Sequence, residues 1–377
     1  FFDTDTFKFK LLIDSLQSNE EFLLRNGPLF IGSFYYLDQR TSNLHSPADL
    51  RDSHLTALPA RVPGNVELDL YRAGILADPY VELNARDLRA YEPYEWWYET
   101  EFLVPRAAEG QRLELLFHGV DCLATYWLNG ELIGTSENMF IEHTFDVTHR
   151  VYFDRPNSLV VRIGSAILAA AAQPSDPTMG ALPGNWGQLR IRKAPHSYGW
   201  DIMPRAVSAG IWRSVELVIH DNTEIVDAYF ITRHVDAAAA RLEVYYELQV
   251  EGGIQDNLVL EISGELAGGN ANGPAFHARQ PVHFPTGRTG ITISHPQLWW
   301  PRGYGEPHTY QVTLRLWQGD SLLAERSWDH IGIRTVVLDR TEVTSLQQPG
   351  RFIFKVNGVP IMCKGSNWVP LDMFHSR

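Results

Sequence analysis

Cysteine is nearly missing from this chain: Cys122 and Cys363 stand far apart, which excludes a disulfide framework and a paired CxxC metal knuckle. Positive charge is scarce as well. The formal net charge is −13 and no Lys/Arg cluster offers the footprint of a phosphate-tracking surface, so no nucleic-acid partner is expected. No apolar run approaches the roughly 20 residues of a membrane helix, the longest candidate being the Ala-rich stretch Ala166 to Ala172, so no membrane partner is expected either. No leader of charged, apolar and small residues is visible, and no Asn-x-Ser/Thr sequon occurs. With two unpaired thiols, these absences lean toward a cytoplasmic setting. Zinc-type His-x-x-x-His spacing, a P-loop and a Gly-x-Ser-x-Gly elbow are lacking, and no metal site is expected. Gly303-Tyr304-Gly305 has neither the third Gly nor the strand-to-helix context of a dinucleotide fingerprint.

Aromatic residues are what the chain has in quantity. Its 377 residues include 11 Trp, 15 Tyr and 18 Phe, a bias that favours sheets and stacking surfaces over helix bundles. Most of these rings are expected in sandwich cores. Hydrophobic content of 44% with 20% charged residues is that of a soluble globular protein, and the length suits two or three domains.

Short β-type runs punctuated by Gly, Pro, Asn and Asp fill residues 25–220, the pattern of an all-β sandwich rather than of βαβ units. Arg112 to His118, Tyr126 to Leu128, Ser158 to Ile163 and Trp212 to Ile219 are the clearest strands, and Asn129-Gly130 predicts a type I′ hairpin turn. Phe7 to Leu24 reads as a helical lead-in. A second β domain is expected over 221–335, because Leu242, Val244, Tyr246, Leu248 and Val250 alternate with polar neighbours, as do Tyr310, Val312, Leu314 and Leu316. Gly252-Gly253 and Ala267 to Pro274 read as loops. Arg351 to Arg377 reads as the opening strand of a further domain, with Phe352, Phe354 and Val356 alternating before an Asn357-Gly358 turn. A lone strand of that kind is expected to be poorly held.

Five groups of residues, in order, carry a resemblance. They are Val62-Pro63-Gly64-Asn65-Val66-Glu67 with Glu95-Trp96-Trp97-Tyr98; Gly119-Val120-Asp121 through Trp127-Leu128-Asn129-Gly130 to Asn138-Met139-Phe140; and His196-Ser197-Tyr198-Gly199-Trp200-Asp201 with Gly210-Ile211-Trp212. The last two are Leu298-Trp299-Trp300-Pro301 with Ile331-Gly332-Ile333-Arg334, and Phe354-Lys355-Val356-Asn357-Gly358 to Gly365-Ser366-Asn367-Trp368-Val369-Pro370. Together they resemble the amino-terminal part of glycoside hydrolase family 2 enzymes, most closely the β-mannosidase branch. One departure touches sugar specificity: the branch's Trp-Asp-Trp-Gly-Pro is here Trp200-Asp201-Ile202-Met203-Pro204.

The resemblance implies a mainly β chain: a lead-in (1–24), a sugar-binding jelly-roll sandwich (25–220), an immunoglobulin-like sandwich (221–335), and a linker with the first strand of a truncated (β/α)₈ barrel (336–377). It further implies a retaining, exo-acting hydrolase of terminal β-D-mannosides that needs no cofactor. The alternatives are another specificity of the family, such as β-galactosidase or β-glucuronidase, or a non-catalytic carbohydrate-binding protein. The family's two catalytic Glu residues match nothing here; Asn19-Glu20 resembles the acid/base pair only by chance of order. Substrate-binding residues implied by the resemblance are Trp200, Asp201, Asn367, Trp368 and Asp372. On chemistry alone, an aromatic face beside a carboxylate can hold a sugar, and the same two residues can equally be a buried ring and a turn cap. Trp299-Trp300-Pro301 reads as a packing wedge.

Overall fold

The computed structural model describes residues 12–13, 32–38, 44–174, 180, 185–268 and 276–377. The chain is mainly β and divides into two units, Phe1–Asp221 with Trp368–Arg377, and Asn222–Asn367.

Among the described residues the first unit runs through ten strands in chain order: Leu12–Ile13 (β1), Gly32–Asp38 (β2), Leu58–Ala60 (β3), Tyr94–Leu103 (β4), Arg112–Phe117 (β5), Ala124–Leu128 (β6), Glu131–Ser136 (β7), His143–Asp146 (β8), Pro156–Ile163 (β9) and Val215–His220 (β10). They form two sheets, ordered β1-β10-β5-β8 and β3-β2-β4-β9-β6-β7. Period-two alternation fixes which face each strand buries. Leu113, Leu115 and Phe117 of β5 and Leu217 and Ile219 of β10 meet Trp96 and Tyr98 of β4, Tyr126 and Leu128 of β6, and Leu159, Val161 and Ile163 of β9 in one core. Each such side chain contributes roughly 1.5–3 kcal/mol by leaving water. Trp97 and Trp127 point the other way and stack at 5.4 Å beneath Leu50 of a short helix, Pro47–Asp52 (α1). That helix starts at Ser46 because Ser46 and Asp49 satisfy each other's backbone N–H in a capping box.

The Asn129-Gly130 turn joins β6 to β7 with φ of +54° and +86°, as a type I′ turn requires. The Trp212 strand is shorter than its sequence suggests, starting at Val215, because the amides of Trp212 and Arg213 both bond Gly119 O and bend the chain. The expected helix over Phe7 to Leu24 fails where it can be read: Leu12 and Ile13 pair in parallel with Val218 and Ile219, so a distant strand edge overrides local propensity. Its other residues, Asn19-Glu20 included, lie outside the described residues. Ala166–Ala172 is a seven-residue helix (α3), preceded by Val66–Arg72 (α2). No helix of the described residues is long and apolar enough to cross a membrane.

In the second unit, Glu224–Val235 (β11), Ala239–Gln249 (β12) and Thr286–Ser294 (β15) form one antiparallel sheet. Leu258–Leu266 (β13), Phe276–Pro281 (β14), Tyr310–Gln318 (β16) and Ser321–Ile331 (β17) form another, ordered β14-β13-β16-β17. Leu242, Val244 and Leu248 share a core with Tyr310, Val312, Leu314 and Leu316, the alternating positions of the two runs. Ala267 and Gly268 turn out of β13, and the rest of the expected loop to Pro274 lies outside the described residues. Arg334 stacks over the half-buried Trp299 at 4.6 Å within this unit.

Phe352–Val356 (β19) is not a lone strand. It pairs with Val336–Arg340 (β18) on one side and Val359–Ile361 (β20) on the other, antiparallel throughout, with Asn357-Gly358 as the hairpin turn. Beyond Ile361 the chain has no regular element, yet Met373 and Phe374 are buried in the core of the first unit. The expectation of a poorly held terminal segment is therefore corrected at both ends, by a sheet and by two core residues.

Candidate functional site

The loop bearing Trp200 and Asp201 is held from several sides. Pro195–Tyr198 makes one 3₁₀ turn, and Gly199 follows at φ +99°, a conformation that favours glycine. Arg205 clamps the far side through a bidentate pair with Glu92, at 2.7 and 2.8 Å, while Ala206 N bonds Ser197 O. Asn185 Nδ2 donates to Gly199 O at 3.1 Å. Between these anchors Trp200 and Met203 exchange backbone hydrogen bonds, leaving Asp201 and Ile202 at the exposed tip. Trp200 is 47% exposed. Among the described residues nothing donates to the Asp201 carboxylate, so it is not a turn cap, and Trp200 is not a buried ring.

Beside this loop lies an open cleft of about 460 Å³ lined by Gln188, Pro195, His196, Gly199, Trp200 and Pro370. Asp201 and Trp368 are not in its wall. Trp368 is 80% exposed and Asn367 is exposed as well, but the unit division falls between them: Trp200, Asp201, Trp368 and Asp372 belong to the first unit and Asn367 to the second. Asp372 is already occupied. Its Oδ1 accepts from Tyr80 OH at 2.6 Å and from Phe374 N at 3.0 Å, and Arg377 Nε lies 3.5 Å from its Oδ2. Tyr80 also meets Phe374 edge to face, with Arg377 over its ring. Five of the expected site positions thus divide into an exposed pair at a loop tip, two exposed residues on an irregular segment, and one acid that pins that segment down.

Beneath the cleft wall is a buried polar group of residues. Lys193, wholly buried, pairs with Asp121 and donates to Ser208 O at 2.6 Å. Ser208 Oγ donates to Glu67 Oε2 at 2.6 Å and accepts from Asn65 Nδ2 at 2.8 Å. Asn65 Oδ1 in turn accepts from the amide and hydroxyl of Ser376. Burial pushes the Glu67 carboxyl up to about 7, and it pushes Asp69 up to about 7 even with Arg72 against it. His375 packs 5.0 Å from His196 and 5.9 Å from Trp212, and burial drives its imidazole down to about 4. His196 is lowered too, first by burial and then by the Lys193 cation. Sequence reasoning did not single out Lys193, Ser208 or the two histidines as interacting. The available signal was Val66-Glu67-Leu68-Asp69-Leu70, where two acids sit within an apolar helical run.

No group of three or more His, Cys, Asp or Glu among the described residues could hold a metal ion. What the arrangement offers is an indole and an imidazole in the wall of an open cleft, with the Asp201 carboxylate next along the chain from that indole and outside the wall, a set suited to a polyhydroxylated ligand with apolar CH faces.

The glycosyl hydrolase 2 galactose-binding domain-like family matches residues 41–213, and the glycosyl hydrolases family 2 matches residues 223–334. The chain is 33% identical over 325 residues to β-mannosidase B of Aspergillus terreus and 31% identical over 336 residues to β-mannosidase of Rattus norvegicus. These alignments cover 83% and 85% of this chain but 36% and 37% of those proteins, so the chain spans about a third of their length. Among solved structures, β-D-mannosidase from Dictyoglomus thermophilum is similar at a TM-score of 0.72 and 27% identity, over 92% of this chain and 40% of that one.

Proposed function

Because the chain belongs to glycoside hydrolase family 2, we propose that it forms the amino-terminal part of a retaining, exo-acting β-mannosidase that releases terminal non-reducing β-D-mannose without a cofactor. The proposal assigns 25–220 to a sugar-binding jelly roll after a 1–24 lead-in, 221–335 to an immunoglobulin-like sandwich, and 336–377 to a linker and the start of a (β/α)₈ catalytic barrel. Relatives named as β-mannosidases support the substrate class. Two carboxylates about 5 Å apart perform retaining hydrolysis, one as nucleophile and one as acid/base, and neither is assigned to this chain. Its part is recognition.

The observation that carries this reading is the Trp200-Asp201 tip, an exposed indole next to a carboxylate that no described residue has claimed. In this proposal the CH face of the terminal sugar stacks on Trp200 while its hydroxyls donate to Asp201. Trp368 supplies a further stacking contact, and Asp372 acts by pinning the segment that carries Trp368. The departure at Ile202-Met203 favours a second reading, another family 2 specificity such as β-galactosidase or β-glucuronidase.

Asp201→Ala in the intact protein tests it. Losing a charge-assisted hydrogen bond of about 1.5–3 kcal/mol lowers kcat/KM on an aryl β-mannoside roughly ten- to a hundredfold. The thermal midpoint should stay put, since no described residue donates to the carboxylate. A stability loss with unchanged kcat/KM would remove Asp201 from the site.

A further inference from the structure

His196 stands in the cleft wall beside Trp200, and neither of its ring nitrogens has a partner among the described residues. Its ring is nevertheless not free to swing. The 3₁₀ turn Pro195–Tyr198 fixes its backbone, Ser197 Oγ closes that turn onto Ala194 O at 2.7 Å, and the His375 ring lies 5.0 Å behind it, itself packed against Trp212. A polar group whose orientation is set by packing is what precise ligand recognition needs.

We propose that His196 is a specificity-determining residue of this cleft: with a pyranoside laid against Trp200, one nitrogen of its imidazole pairs with a sugar hydroxyl, and the His375 ring packed against it restricts its orientation. This rests on the sugar-binding reading of the Trp200 loop. A neutral imidazole has one N–H donor and one bare nitrogen acceptor on opposite sides of its ring, so the nitrogen turned to the cleft takes one hydroxyl, which can donate or accept. The surroundings keep it neutral at pH 7. Burial and Lys193 disfavour its protonation, Asp121 opposes them but is already paired with Lys193, and His375, which has Asp372 as its own acidic neighbour, is neutral as well. Gln188 shares the cleft wall and carries amide donors and an acceptor of its own.

Steady-state kinetics of the intact protein on an aryl β-mannoside, with thermal midpoints of the same samples, decide the matter. His196→Ala is expected to raise KM about 3- to 10-fold, the loss of one neutral hydrogen bond, with kcat within about twofold and the midpoint unchanged. His196→Gln, which keeps a donor and an acceptor, is expected to recover most of that loss. Unchanged KM in His196→Ala beside an impaired Asp201→Ala overturns this inference and leaves the site reading standing. Equal impairment in the Ala and Gln variants with a lowered midpoint makes His196 structural and overturns it too. Wild-type kinetics in both Asp201→Ala and His196→Ala, or no hydrolysis of any aryl β-glycoside, overturns the two together; hydrolysis of a different aryl β-glycoside moves the same series onto that sugar.

Discussion

Glu67 should make the first unit less stable as pH rises, and Glu67→Gln should abolish that dependence. The residue sits on α2 with its carboxylate shielded from solvent, one oxygen accepting from Ser208 Oγ, and burial lifts its pKa from 4.5 to about 7. An acid whose folded pKa is raised binds its proton more tightly in the folded state. Below pH 4.5 both states are protonated and nothing is lost; between 4.5 and about 7 the unfolded chain ionises while the folded one does not, and stability falls with pH. Above about 7 the penalty levels off on the order of 3 kcal/mol, the free-energy equivalent of the shift. Glutamine keeps an acceptor for Ser208 and has no proton to lose. Its extra N–H₂ adds a pH-independent offset, so the slope of the difference is the diagnostic, not its absolute value. Urea unfolding of wild type and Glu67→Gln from pH 4.5 to 8.5, followed through the transition of the first unit, should show the two curves diverging in favour of the variant. Asp69 titrates in both proteins and cancels in the difference. Parallel curves across that range would refute the reasoning.

The sandwich strands were legible because their information is local. Leu242, Val244 and Leu248, and Tyr310 to Leu316 at every second position, declare a buried face by alternation alone, and all of them are core residues. Asn129-Gly130 and Asn357-Gly358 each have two positive φ values, which few other dipeptides tolerate, so the turns could be read from two letters. β1 could not. Two residues paired to a strand 206 positions later, Leu12 to Val218, carry no periodicity of their own. In the site, the residues alone left Trp200 and Asp201 open between a sugar platform and a buried ring with a turn cap, and their relation to Pro370 and His196 could not be read, since it depends on where the 368–377 segment docks. The buried group failed for the same reason. Lys193 meets Asp121 across 72 residues and Ser376 meets Asn65 across 311, and an isolated Lys in Ile191-Arg192-Lys193-Ala194 looks like any surface cation. Asp372 was read as a ligand acid on the motif, and its engagement with Tyr80 depends on a ring 292 positions earlier.

Two further outcomes follow from that buried geometry. Lys193→Met should destabilise the first unit by about 3–5 kcal/mol in chemical denaturation, because Asp121 is left as an unpaired buried charge; adding Asp121→Asn should return much of the loss, and a double variant as unstable as the single would contradict the pairing. Phe374→Ala removes a fully buried ring whose cavity costs about 3–5 kcal/mol, yet the ring belongs to a ten-residue segment rather than to either sheet. The segment's other anchors are Met373, the Tyr80–Asp372 bond and the Ser376–Asn65 pair, and each of the two bonds contributes far less than the ring, about 1 kcal/mol for the first. Losing Phe374 therefore should open the segment locally before the unit unfolds. Hydrogen exchange at Phe374 and Ser376, whose amides bond Asp372 and Asn65, should speed up by orders of magnitude at position 376 and at the substituted position, with β5 amides unchanged. Equal acceleration in β5 would mean that the segment is an integral part of the first core, and unchanged exchange at Ser376 would mean that Phe374 does not hold it.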